Sequence, residues 1–135
     1  MANEAVLQIE THIPINFNVS SDVTIEKGAI VKLGTGMAAT SHTTGINDLV
    51  AGIVQSEKLA ADTTQDSVAV FRGGVFNVKC SGACPVGSAV VTSSVANTVE
   101  VAGANSENIL GIMLDTAADG ETKLMELRPT KMDLA

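Results

Sequence analysis

The side chains able to do chemistry are few and far apart. Cys80 and Cys84 stand four apart in Lys-Cys-Ser-Gly-Ala-Cys-Pro and are the two cysteines of the chain. A zinc site needs four ligands, and the other candidates, His12 and His42, are each remote in sequence from the pair. The pair reads as two thiols in a reducing compartment, with a small disulfide-closed turn as the alternative. A Ser-His-Asp arrangement needs a histidine beside an activated serine. No Gly-x-Ser-x-Gly elbow surrounds any serine, and His42 lies in the polar run Thr40-Ser-His-Thr-Thr-Gly45, which reads as an exposed loop. Asp62 with Asp66, and Asp115 with Asp119, are paired carboxylates in hydrophilic stretches, where solvation keeps both ionised rather than poising one as a general acid. Gly34-Thr-Gly36 and Arg72-Gly-Gly74 lack the Lys-Ser/Thr step and the helix start of a phosphate loop. Asn105, Glu107 and Asn108 are too sparse for a calcium loop. The sequence therefore assigns no catalytic residue, no cofactor and no metal ligand, and the expectation is a protein that is not an enzyme.

Composition narrows the partner class. The chain has 135 residues, enough for one domain or two small packed lobes with a real core. Trp and Tyr are absent and the aromatics are Phe17, Phe71 and Phe76, so the core must come from Val, Ile, Leu, Ala and Met, and no stacking platform for bases or sugars exists. The formal charge is −7 and the eight basic residues are scattered, which argues against nucleic acid and leaves protein as the partner. No apolar run reaches the roughly 18 residues of a membrane span. Met1-Ala-Asn-Glu-Ala lacks the basic and apolar regions of a signal peptide, so the expected compartment is the cytoplasm, with no membrane partner.

The elements that must position these side chains are strands. From Ser20 onward, short Val, Ile and Thr runs are separated by Gly, Asp, Asn and Ser clusters, the punctuation of an all-β domain. Glu57-Lys-Leu-Ala-Ala-Asp62 is the one stretch with tolerable helix propensity and is long enough for a single turn. Part of the pattern occurs twice. Gly28 and Gly87, Val31 and Val90, Gly52 and Gly111, and Ile53 and Ile112 are identical pairs at one gapless offset of 59 residues, while the stretches Thr40 to Asn47 and Val99 to Ser106 share no residue at equivalent positions. Leu49 to Val54 is a nearly continuous apolar run around Gly52, consistent with a strand buried on both faces or with close backbone approach at the glycine. Arg72-Gly-Gly74 marks a bulge or a corner where the chain changes sheets. Arg128 follows Leu124-Met-Glu-Leu127 much as Arg72 follows Val68-Ala-Val-Phe71, at an offset of 56, which implies a shorter loop in the second unit.

The first twenty residues read differently. Leu7, Ile9, Thr11 and Ile13 alternate with Val6, Gln8, Glu10 and His12, and the run continues through Pro14, Ile15, Phe17 and Val19 as extended chain. Pro14 confines it to an edge or an arm. It is either a first barrel strand or an arm that pairs with a neighbouring subunit or an assembly surface. The expected organisation is an extended N-terminal arm over 1–20, an all-β domain over 21–129 with pseudo-repeats at about 23–72 and 82–128, and a tail over 130–135 begun by Pro129. The expected fold is a compact β-barrel or β-tulip-like domain of two pseudo-repeated β units with little or no helix.

Glu26-Lys-Gly-Ala-Ile-Val-Lys-Leu33, Val50-Ala-Gly-Ile-Val54, Val68-Ala-Val-Phe-Arg-Gly-Gly-Val-Phe-Asn-Val78, Pro85-Val-Gly-Ser-Ala-Val-Val91 and Leu110-Gly-Ile-Met-Leu-Asp115 together resemble the head-decoration proteins of tailed phages. The resemblance covers roughly residues 23 to 128 and is carried by structural punctuation. It implies a capsid cement protein, made in the host cytoplasm and located on the virion surface, that joins the major capsid protein as a homotrimer. Val6, Leu7, Ile9, Ile13, Ile15 and Phe17 are then the expected capsid or subunit contacts. A tail or head-fibre structural module would share the composition. A trimeric β-fold nucleotide hydrolase similar to dUTPases would need an aromatic over the base, and its Tyr is missing here. Lys58, between two β runs, faintly resembles the swinging-arm lysine of lipoyl and biotinyl domains, although Ala60-Ala-Asp-Thr-Thr64 behind it is long for a tight hairpin tip.

Overall fold

Glycine turns followed by short Val and Ile strands build, in the computed structural model, two closed barrels from one chain. The structure describes residues 3–42, 45–103 and 108–131. Its strands are β1 (Val6–Ile9), β2 (Ile15–Asn18), β3 (Ile30–Gly34), β4 (Ala38–His42), β5 (Val50–Val54), β6 (Ser67–Phe71), β7 (Gly74–Cys80), β8 (Ala89–Thr92), β9 (Thr98–Val101), β10 (Asn108–Met113) and β11 (Thr122–Lys131). The described residues contain no helix, so the fold is all-β as expected. Barrel 1 closes in the order β2-β4-β3-β5-β6. The second sheet runs β1-β7-β11-β10-β8-β9, and a further β7–β9 pairing closes its last five strands into barrel 2, leaving β1 outside.

The two barrels have one topology. β2 pairs antiparallel with β6 and parallel with β4, and the remaining pairs in barrel 1 are antiparallel. β7 pairs antiparallel with β11 and parallel with β9, and the remaining pairs in barrel 2 are antiparallel. Even the isolated bridges match at the offset of 59, Ile25 to Lys58 in barrel 1 and Cys84 to Ala117 in barrel 2. The identical pairs have direct physical reasons. Gly28 and Gly87 both sit at φ +83°, where an L side chain is strained, and their N–H groups donate to Val54 and Met113 at 2.9 and 2.8 Å. A Cβ on Gly52 would lie 2.1 Å from the Phe71 carbonyl oxygen, and one on Gly111 would lie 2.2 Å from that of Glu126.

The repeat begins earlier than the sequence suggested. Phe17-Asn-Val19, at the end of β2, recurs as Phe76-Asn-Val78 on β7 at the same offset. β2 is barrel wall, in register with β6 from Ile15 opposite Val70 to Asn18 opposite Ser67, so Ile15 to Asn18 of the arm expected over 1–20 belong to barrel 1. The repeats therefore start at β2 and β7, ahead of the expected 23 and 82. The expected tail is also shortened, because β11 continues through Pro129 to Lys131. Pairing jumps from Ile109 opposite Thr130 to Gly111 opposite Leu127, so Pro129 sits in a bulge, where its missing N–H costs no ladder bond. The rest of the expected tail, 132–135, lies outside the described residues.

Burial shows how the barrels meet. The interior of barrel 1 is its own cluster around Phe17, Ile25, Val31 and Val68. Ile30, Ile53 and Phe71 point out of barrel 1 and join the Phe76, Leu110 and Met125 cluster of barrel 2. β5 is therefore buried on both faces and approached closely at Gly52, which satisfies both readings of its apolar run. Phe71 and Phe76 meet edge-on, ring centroids 5.6 Å apart at 67°, across the Arg72-Gly-Gly74 step that carries the chain from one barrel to the other. A polar seam accompanies the apolar contact. The Ile30 N–H donates to Asn97 Oδ1 at 2.9 Å, the Asp48 N–H to Thr92 Oγ1 at 2.9 Å, and the Asn108 N–H to Asn47 Oδ1 at 2.8 Å. Such bonds, the first buried and the other two partly buried, favour one relative placement of the two bodies, because leaving a buried partner unmet costs about 1–3 kcal/mol.

Candidate interaction surface

The N-terminal segment runs across both barrels. β1 lies on β7 with Val6 opposite Asn77, Leu7 opposite Phe76 and Ile9 opposite Val75. The Ala5 N–H donates to the Gly28 carbonyl at 2.8 Å, which ties the start of β1 to barrel 1. Alternation turns Leu7 onto the barrel 2 core, and it is half-buried there. Four of the six expected contact residues face solvent: Val6 at 57%, Ile9 at 58%, Ile13 at 80% and Ile15 at 40% exposure. Phe17 is not among them. It is buried in barrel 1, because its neighbours Asn16 and Asn18 take the outward positions of β2. The structure thus brings Val6, Ile9, Ile13 and Ile15 to the surface of one short stretch and removes Phe17 to the core.

A groove of about 480 Å³ opens beside β1 at the junction of the barrels. Its apolar lining includes Val6, Leu7, Ile53, Phe71 and Phe76, and its polar groups include those of Glu10, Lys27 and Gln55.

The side chains singled out for chemistry are accounted for one by one. Lys58 is fully buried, and its ammonium donates to the backbone carbonyls of Ser21, Leu59 and Val23 at 2.8, 3.0 and 3.1 Å, with Asp62 at 3.4 Å. It plugs barrel 1 and cannot swing, so the carrier-lysine likeness ends there. Asp22 and Asp62 flank this plug, and both carboxyls are held below the usual range, Asp22 first by the Ser20 hydroxyl and Asp62 first by the Thr64 hydroxyl at 2.7 Å. Cys80 and Cys84 are both buried free thiols. Burial pushes the Cys80 thiol up to about 12, assisted by Cys84, so it is not a nucleophile near neutral pH. His12 accepts or donates at Nδ1 with the Thr11 hydroxyl at 2.8 Å, and its ring packs where a Cβ on Gly73 would sit. The backbone places His42 at the end of β4 rather than in a loop. Asn105 and Glu107 lie outside the described residues. Among the described residues no group of three or more His, Cys, Asp or Glu is placed to hold a metal ion, and no helix is long and apolar enough to cross a membrane.

Two features escaped the sequence reading. The lysine plug carries no motif, since its partners are backbone carbonyls. The Phe-Asn-Val triplet recurs at the repeat offset, but its first copy lies in the stretch that alternation reads as an extended arm.

Compared with protein-family models and with curated proteins, the chain matches none.

Proposed function

We propose that the protein is a viral structural protein that binds the outside of an assembled phage capsid and stabilises it, acting by binding rather than catalysis. Its partners in this reading are the major capsid protein and further copies of itself as a homotrimer on the virion surface. The observation that carries the reading is the exposed apolar run Val6, Ile9, Ile13 and Ile15, held on two barrels whose ionisable interior groups are used up in packing. Four large apolar side chains exposed within residues 6–15 support a protein contact on this segment. A ligand that prefers the intact shell stabilises it by mass action.

The test is co-sedimentation and electron microscopy of undecorated capsids mixed with the purified protein. Deleting residues through Phe17 would open barrel 1, so the informative variant replaces exposed residues alone, Val6→Ser with Ile9→Ser and Ile13→Ser. We expect it to fold and to bind capsids at least about a hundredfold more weakly. Undiminished binding by the variant, or density confined to tails, would overturn the reading.

A further inference from the structure

The two equivalent strands β2 and β7 differ in what covers them, and the difference identifies a surface. β7 has β11 along one edge, while its other edge is shared between β1 at Val75 to Asn77 and β9 at Lys79 and Cys80. β2 has β6 along one edge, and on the other only Asn18 is paired, with Ala38 of β4. The stretch of β2 equivalent to the one that β1 covers on β7 is Asn16 to Asn18; Asn18 is taken by β4, and among the described residues Asn16 and Phe17 have no strand on that side.

That bare edge is competent to pair. The Asn18 N–H donates to Met37 on the β4 side at 3.0 Å, and the Val19 N–H donates to Asp66 on the β6 side at 3.0 Å. Alternation then aims the Asn16 N–H and carbonyl at the open side, and Asn16 is exposed. Among the described residues no strand covers them. A second open edge lies nearby. β1 ends its sheet, with β7 on one side; among the described residues no strand lies on the other, where Ala5, just before β1, is bonded to the Gly28 carbonyl of barrel 1. Inside one chain these two edges do not pair, because β1 and β2 belong to different sheets. Val6 and Ile9 on β1, with Ile13 and Ile15 at β2, place exposed apolar side chains beside both edges.

We infer that the bare edge of β2 receives the outer edge of β1 from a second copy of this chain. β1 would then lie between two equivalent strands, its own β7 and the neighbour's β2, as a bridge that continues barrel 2 of one copy into barrel 1 of the next. The occupant is a second copy because this chain carries both halves of the contact, and because the pairing it already makes, β1 on β7, is the template for the new one. The contact is head-to-tail, so each copy gives a β1 edge and receives on a β2 edge. It takes up the self-association part of the proposed function, and it needs no capsid, so it can fail while capsid binding stands.

The test uses the isolated full chain. Light scattering over a concentration series should show assembly beyond the 13.8 kDa monomer. Asn16→Pro removes the outward N–H and leaves the β2–β6 bonds, so it should lose the assembly while keeping the β-sheet circular dichroism. Amide exchange by NMR gives a second readout that needs no substitution. Protection of the Asn16 amide should rise with concentration, whereas the Phe17 amide, facing β6, should be protected throughout. A monomer at every concentration overturns the inference. So does an assembly that survives Asn16→Pro, or one in which the Asn16 amide stays unprotected.

Discussion

Barrel 1 and barrel 2 close the same position with different chemistry. In barrel 1, Lys58 is bridged to Ile25 and its ammonium is held by carbonyls that include those of Ser21 and Val23. At the offset of 59, those positions become Ala117, Cys84, Cys80 and Gly82. Barrel 2 fills the place with two thiols, and Cys84 Sγ reaches the Gly82 carbonyl at 3.8 Å, the counterpart of the Val23 carbonyl that Lys58 meets at 3.1 Å. The outer faces differ in the same way. Ile30 and Ile53 pair across β3 and β5 and are fully buried against barrel 2, whereas their counterparts Ala89 and Ile112 are half-exposed. What the barrels share is backbone geometry. What distinguishes them is the environment each position meets, and that sets the residue chosen.

The strongest way to break this comparison is to attack the shared geometry at both sites. Gly52→Ala and Gly111→Ala each drive a Cβ into a carbonyl of the paired strand, at 2.1 and 2.2 Å, with backbone on both sides. Each should cost more than about 3 kcal/mol in urea unfolding, or abolish folding. Gly52→Ala should be the worse, since Gly52 also holds φ +151° and Gly111 has no such penalty. Near-native stability of either variant would show that the two close approaches are not equivalent constraints.

Next in size is the plug. Lys58→Met keeps much of the side-chain volume and strips the charged donor from buried carbonyls, so a loss of about 3 kcal/mol is expected in the same measurement. Cys84→Ala, at the barrel 2 plug, removes a weak thiol contact and a small volume, and should cost about 1 kcal/mol. Equal losses would mean that the ammonium contributes no more than packing.

How much of this was legible in the chain follows from the same contrast. Strands, glycine turns and the repeat could be read because Gly28, Gly52, Gly87 and Gly111 answer to backbone geometry, which is local and leaves its mark in residue type. The closure of two barrels could not, since it depends on the parallel pairings β2–β4 and β7–β9, each a register of one or two residues. Phe17 turns inward, against the sequence expectation, because alternation alone does not say whether an apolar residue faces a core or a partner. Lys58 was opaque for a related reason: a buried lysine held by carbonyls has no companion residue to betray it. The exposure of Val6, Ile9, Ile13 and Ile15 was not legible for the same reason: their types match those of buried strand residues, and only the packing of β1 and β2 leaves them outside.

The pair Ile53 and Ile112 sharpens the comparison further, because the residue is the same and the environment is not. Ile53→Ala should cost about 3 kcal/mol, having left a hole against barrel 2, while Ile112→Ala, at a half-exposed site, should cost about 1 kcal/mol. Urea midpoints of the two variants decide it. If the costs match, the packing of barrel 1 against barrel 2 contributes little to stability.

The smallest effect is a pH dependence confined to barrel 2. Burial holds the Cys80 proton up to about 12, against 9.0 for a free thiol, with the neighbouring Cys84 and the charge of Glu121 adding to the shift. The folded state therefore keeps a proton that the unfolded chain releases. Stability from this group is complete below pH 9 and declines as pH rises toward 12, because above 9 the unfolded state binds fewer protons than the native one. Between pH 8 and pH 10 the loss should be about 1 kcal/mol, and Cys80→Ser should remove that part of the slope. Ser is the natural choice, since Ser21 stands at the equivalent place in barrel 1. In the native protein at pH 8, iodoacetamide should leave Cys80 unmodified and label it only after unfolding, as peptide mass spectrometry would show. Rapid native labelling, or an unchanged slope in Cys80→Ser, would mean that the thiol plug is open to solvent and that the two barrels are not closed alike.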